Sequence, residues 1–126
     1  AICTRGRPAL VRRALEALTR ERAGADDPSA IDILVVDNAP PDDGTRRAAA
    51  EFEGVRYAVE PVPGLDFGRN RAIAETVKPW LAFVDDTSKG LQQRLAAGAE
   101  QCREQVRRPG GARLSRVRQQ AYCVLV

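Results

Sequence analysis

The sequence predicts an α/β protein on a doubly wound, mostly parallel sheet, followed by a basic and helical C-terminal segment. Two observations carry this. Short apolar runs at residues 33–36 and 80–84 end abruptly in acid, as Asp37-Asn38 and Asp85-Asp86. Runs of that length, apolar on both faces, suit internal strands of a parallel sheet. Between the strand-like stretches lie helical patterns long enough to cross a sheet face, giving the order β-α-β-α-β-α-β.

Taken in order, AICT at 1–4 reads as the end of a first strand. Gly6 allows a tight turn and Pro8 suits the first turn of a helix. That helix is predicted over 8–22, with Val11, Ala14, Leu15 and Leu18 on one face. Residues 23–30 read as a loop, and the second strand as 32–37. Pro40 and Pro41 make 39–44 a loop. A short helix over 45–52 stops at Gly54, and 55–60 is a third strand. After a loop at 61–66, Asp66 is expected to cap a helix over 67–77, with Ile73 and Val77 facing inward. Lys78 and Pro79 end it, and the fourth strand, 80–84, runs into the acid pair.

The character changes near residue 88. Leu91, Leu95, Ala99, Cys102 and Val106 recur at helical spacing, predicting a helix over 90–107. Pro109, Gly110 and Gly111 break it, and AYCVLV reads as a final strand or a frayed end. Charge divides at the same place. Residues 1–87 hold twelve Arg/Lys against fifteen Asp/Glu, and residues 88–126 hold eight against two. The expected organisation is therefore an α/β domain over 1–87 and a basic tail over 88–126.

The chain has 126 residues, enough for one compact domain. Its apolar runs fall far short of the ~20 residues that cross a bilayer. Cys3, Cys102 and Cys123 show neither metal-ligand spacing nor a disulfide framework, so a cytoplasmic location is expected. Histidine is absent, which excludes an imidazole base or ligand from this chain. Methionine is absent too, and the chain opens on strand residues, so preceding residues are expected.

In open α/β sheets, ligands sit outside the carboxyl ends of the strands. Four strand-end loops would meet there. They bring Thr4, Arg5 and Arg7; Asp37 and Asn38; Gly64 with Arg69, Asn70 and Arg71; and Asp85 with Asp86. Arginines and a helix N-terminus can meet phosphate oxygens, and an acid pair can hold a divalent cation bridging them. No G-x-G-x-x-G follows the first strand and no G-x-x-x-x-G-K-[ST] occurs, which disfavours a dinucleotide fold and a P-loop.

AICTRGRP, DILVVDNAPPDDGT, VRYAVEPVPGLDFGRNRAIAE and WLAFVDD, in that order and spacing, resemble the nucleotide-sugar-binding half of family 2 glycosyltransferases. The resemblance implies a Rossmann-like GT-A fold, a UDP- or dTDP-sugar donor, and Mn2+ or Mg2+. It implies that Thr4, Arg5 and Arg7 lie near base and ribose, that Asp37 reads the base, and that Arg69 and Asn70 lie near the nucleotide. It implies that Asp85 and Asp86 hold ribose and metal. The implied chemistry is displacement at the anomeric carbon with inversion, the base coming from a second part of the domain.

Two departures stand out. The third position of the acid motif, usually acidic in the family, is Thr87, a weaker metal ligand. Residues 88–126 do not resemble the family's acceptor-binding region, and no catalytic base is assigned. Two other readings stay open: a nucleotide-binding domain without turnover, and a basic module contacting polyanions, including peripheral association with an anionic membrane. Specific nucleic-acid binding is disfavoured because the tail has one aromatic residue, Tyr122.

Overall fold

The structure, a computed structural model, describes residues 1–78, 80–86 and 121–124. Three strands, β1 (Ile2–Thr4), β2 (Ile33–Asn38) and β3 (Val55–Glu60), form a parallel sheet in the order β1-β2-β3. A fourth, β4 (Trp80–Phe83), lies on the other side of β1 through a parallel bridge between Ile2 and Val84. Two backbone bonds fix this junction. The Ala1 amino group donates to the Ala82 carbonyl at 2.5 Å, and the Val84 N–H donates to the Ala1 carbonyl at 2.9 Å. A fifth strand, β5 (Ala121–Val124), pairs in parallel with β4. The order is thus β3-β2-β1-β4-β5, and the direction of winding reverses between β1 and β4.

Helices cover both faces. α1 (Pro8–Ala23) begins with proline at its first position, where a missing N–H costs nothing. It places Val11, Ala14 and Leu15 against Ile2, Ile33 and Val35. α2 (Gly44–Ala50) joins the same face, where Ala48 and Ala49 are buried. Their small side chains let the short helix lie close. α3 (Leu65–Glu75) crosses to the opposite face and packs Ala72 against Leu34, Val36, Leu81 and Phe83. The period-2 alternation of Ile33, Leu34, Val35 and Val36 therefore feeds two separate cores.

Differences from the sequence expectations are local. Asp66 does not cap α3. The helix starts at Leu65 behind Gly64, and Asp66 sits in its first turn, where a carboxylate still faces the positive end of the helix. Val77 does not face inward. α3 ends at Glu75, and Val77 lies beyond it, 79% exposed. Ile73 does pack against the second core. A 3-10 turn over Pro28–Ala30 occupies part of the expected loop, with the Asp27 carboxylate accepting from the Ser29 N–H at 3.0 Å. The helix expected over 90–107 lies outside the described residues. No helix among the described residues is long and apolar enough to cross a membrane.

Leu15 is fully buried between helix and sheet. Leu15→Ala should lower the unfolding free energy by about 2–5 kcal/mol, read from urea denaturation, through lost transfer energy and the cavity left behind.

Candidate functional site

At the carboxyl edge of the sheet, where the winding reverses, lies a cleft of about 370 Å³. Thr4, Arg5 and Arg7 line it from the end of β1, and Asn38 from the end of β2. Gly64, Gly68 and Arg69 line it from the start of α3, and Phe83, Asp85 and Asp86 from the end of β4. A volume of this order falls within the range of small-molecule sites. The switch point of a doubly wound sheet is where such a cleft is expected, because adjacent loops diverge to opposite faces.

The loop from β1 to α1 is held at both ends by buried carboxylates. The Thr4 hydroxyl donates to Asp86 Oδ2 at 2.6 Å, and Arg7 Nη1 donates to Asp86 Oδ1 at 3.2 Å. The Gly6 N–H donates to Asp37 Oδ1 at 3.2 Å. Gly6 has φ +58°, and a Cβ there would lie 2.7 Å from the Pro41 ring, so the turn admits only glycine without rearrangement. Asp37 is fully buried and also accepts from the Tyr57 hydroxyl at 3.2 Å. Burial, the Asp37 charge and that hydrogen bond push the Tyr57 phenol up to about 12.

A second clamp shapes the other wall. Asn38 Nδ2 donates to the Val62 carbonyl at 2.6 Å, and its Oδ1 accepts from the Gly64 N–H at 2.7 Å. Both ends of one amide thus fix the loop that launches α3. Gly64 sits at φ +139°, a region that L side chains rarely adopt, and a Cβ there would meet the Phe67 ring at 3.0 Å. Buried Gly68 brings the helix against the sheet beside Cys3 and Asn38. Arg69 then lies over the Phe83 ring, 5.8 Å from its centre. Burial pushes the Cys3 thiol up from its ordinary value.

Of the residues singled out in the sequence, Thr4, Arg5, Arg7, Arg69, Asp85 and Asp86 come together around the cleft. Asp37 and Asn70 are not among its lining residues. Asp37 lies beneath the Gly6 turn, and Asn70 is exposed on α3. Tyr57 and Phe83 were not anticipated. The parallel register pairs Tyr57 with Val35, two residues before Asp37, which places a phenol within reach of the buried acid.

The acid pair expected to hold a cation is divided. Asp85 is exposed on the rim, whereas the Asp86 side chain is 3% exposed with both oxygens engaged by Thr4 and Arg7. Among the described residues no group of three or more Cys, Asp or Glu side chains is placed to hold a metal ion. A positive guanidinium already at Asp86 Oδ1 opposes a divalent ion at the same oxygen. The described residues as arranged do not fit the ion.

A parallel sheet wound in both directions, with a ligand-sized cleft at its reversal, defines a doubly wound α/β domain. Residues 1–86 match the family model described as glycosyl transferase family 2, and the chain belongs to that family. Members of the family generally bind nucleotide-sugar donors and use a divalent metal ion. Comparisons with curated proteins and with solved structures gave no match.

The Tyr57 shift gives a pH dependence of definite sign. The phenol ionises near 10 in the unfolded chain and near 12 in the folded one. Between these values the unfolded state gives up the proton first, so stability falls as pH rises through the interval. Ultraviolet titration of tyrosinate should show a component near 12 that is missing in Tyr57→Phe.

Proposed function

We propose that the cleft binds the nucleoside diphosphate of a sugar donor and that the chain serves glycosyl transfer from it. The carrying observation is that Thr4, Arg5, Arg7, Arg69, Asp85 and Asp86, drawn from two strand ends and a helix start, line one cleft. Arg5, Arg7 and Arg69 present planar forks of N–H donors, which suit diphosphate oxygens. The exposed Asp85 carboxylate suits a ribose hydroxyl, a neutral donor that needs an acceptor. Asp37 and Asn38 act on the ligand through the loops they hold: Asp37 through the Gly6 turn, Asn38 through Val62 and Gly64.

In the transfer, the acceptor oxygen bonds to the anomeric carbon while the bond to the diphosphate breaks, its electron pair leaving on the diphosphate and the hydroxyl proton passing to a general base from a second part of the domain. Attack opposite to the departing group inverts the centre. The arginines offset the charge that gathers on the leaving group. A UDP- or dTDP-linked sugar used in the cytoplasm is the donor class that this reading favours.

Calorimetry with UDP and dTDP checks the proposal. Saturable binding is expected, weakened about tenfold or more by Arg69→Ala, the loss of one charge-assisted contact. Asn70→Ala, outside the cleft, should change the affinity less than about twofold. A chain that binds neither nucleotide would overturn it.

A further inference from the structure

Asp86 is the second acid of the strand-end pair, and it is not available. Its carboxylate is almost completely removed from solvent. Oδ2 accepts from the Thr4 hydroxyl at 2.6 Å and Oδ1 from Arg7 Nη1 at 3.2 Å. A divalent ion such as Mn2+ or Mg2+ binds by taking lone pairs from several oxygens at short range. Here those oxygens already serve a hydroxyl and a guanidinium, and the guanidinium repels a second cation. The sequence weakens the site further by placing Thr87 where the family motif usually carries an acid.

The charge that a metal would supply is present in another form. The Arg7 side chain is half exposed and lines the cleft while one of its nitrogens holds Asp86. A guanidinium has five donors. One is used on Asp86, which leaves others to face the cleft. Arg5 and Arg69 line the same cleft and make no ion pair with another described residue. Three guanidinium groups thus line the cleft, and Asp86 is already paired with one of them.

We propose that Arg7 takes the place of the divalent ion, bridging Asp86 and the donor diphosphate, so that nucleotide binding in this chain does not depend on metal. This rests on the reading of the cleft as a nucleoside-diphosphate site. It differs from the general family pattern in the identity of the bridging cation.

The experiment is a calorimetric titration of UDP into the full chain, once with EDTA and once with excess Mn2+. The expected result is the same affinity within about twofold in both. Arg7→Gln should lose about tenfold or more in EDTA, and Arg7→Lys, which keeps the charge and loses the fork, should recover part of it. Because Arg7→Gln also unpairs a buried carboxylate, its thermal midpoint is measured alongside. Arg5→Gln, which disturbs no described ion pair, serves as the second variant and should weaken binding equally with and without Mn2+. Mn2+ alone, followed by its electron spin resonance, should remain free in the presence of the protein. Binding that appears only with Mn2+, or tightens about tenfold with it, overturns the proposal and leaves the nucleotide site standing. Failure to bind UDP under either condition overturns the nucleotide site, and this proposal with it.

Discussion

Two desolvated carboxylates at strand ends decide the arrangement of the site. Asp37 is the last residue but one of β2 and Asp86 follows β4, and both are buried. A carboxylate out of water is costly unless donors surround it. The donors are Thr4 at the end of β1, Gly6 and Arg7 in the loop that follows it, and Tyr57 on β3. Thr4 and Arg7 serve Asp86, and Gly6 and Tyr57 serve Asp37. The loop between β1 and α1 is therefore pinned from both sides, and its conformation is fixed by charges on strands far away in sequence. Arg5 is the member of the loop not drawn inward, and it stands exposed in the cleft.

The pinning works only because the sheet reverses at β1. The strands on either side of it are β2 and β4, so its terminal loop lies between the ends of both. The crossovers follow from handedness. α1 and α2 connect strands that progress in one direction and lie on one face, and α3 connects back to β4 across the other face. The Asn38 clamp uses the same geometry on the opposite wall, since the end of β2 reaches the loop that follows β3. Strand order, more than any single motif, brings these residues together.

Much of this was legible in the sequence. Strand positions followed from short apolar runs bounded by acid, and α1 from the spacing of Val11, Ala14 and Leu15. The gathering of Thr4, Arg7, Arg69 and Asp86 at one edge followed from the topology that those runs imply. The state of each charge was not legible. Asp85 and Asp86 look equivalent in sequence, yet one is exposed and the other is held by two donors. Arg7 and Asp86 are separated by most of the domain, and periodicity carries no information about such a pair. Asp37 reads as a free strand-end acid until the register brings Tyr57 beneath it. The Asp66 and Val77 expectations failed for a local reason. The helix begins behind a glycine at positive φ, two residues earlier than its polar pattern suggests, and so ends two residues earlier as well.

An arginine in the role of a cation changes the behaviour of a diphosphate site in ways that follow from its chemistry. A metal ion is a separate ligand, so affinity tracks its concentration and the protonation of the carboxylates that bind it. A guanidinium is part of the chain and stays charged over the accessible pH range. The site is then always charged and needs no loading step. The cost lies in strength. A metal polarises a leaving oxygen by direct coordination, whereas a guanidinium stabilises it by hydrogen bonds and charge at longer range. Orientation then has to compensate for the weaker contact, because preformed donors stabilise a developing charge only where they are held in place. Here Asp86 does the holding. Its carboxylate fixes one nitrogen of Arg7, and the Thr4 hydroxyl fixes the carboxylate in turn. The buried acid that looks like a metal ligand in sequence acts in this arrangement as the support of the cation that replaces the metal.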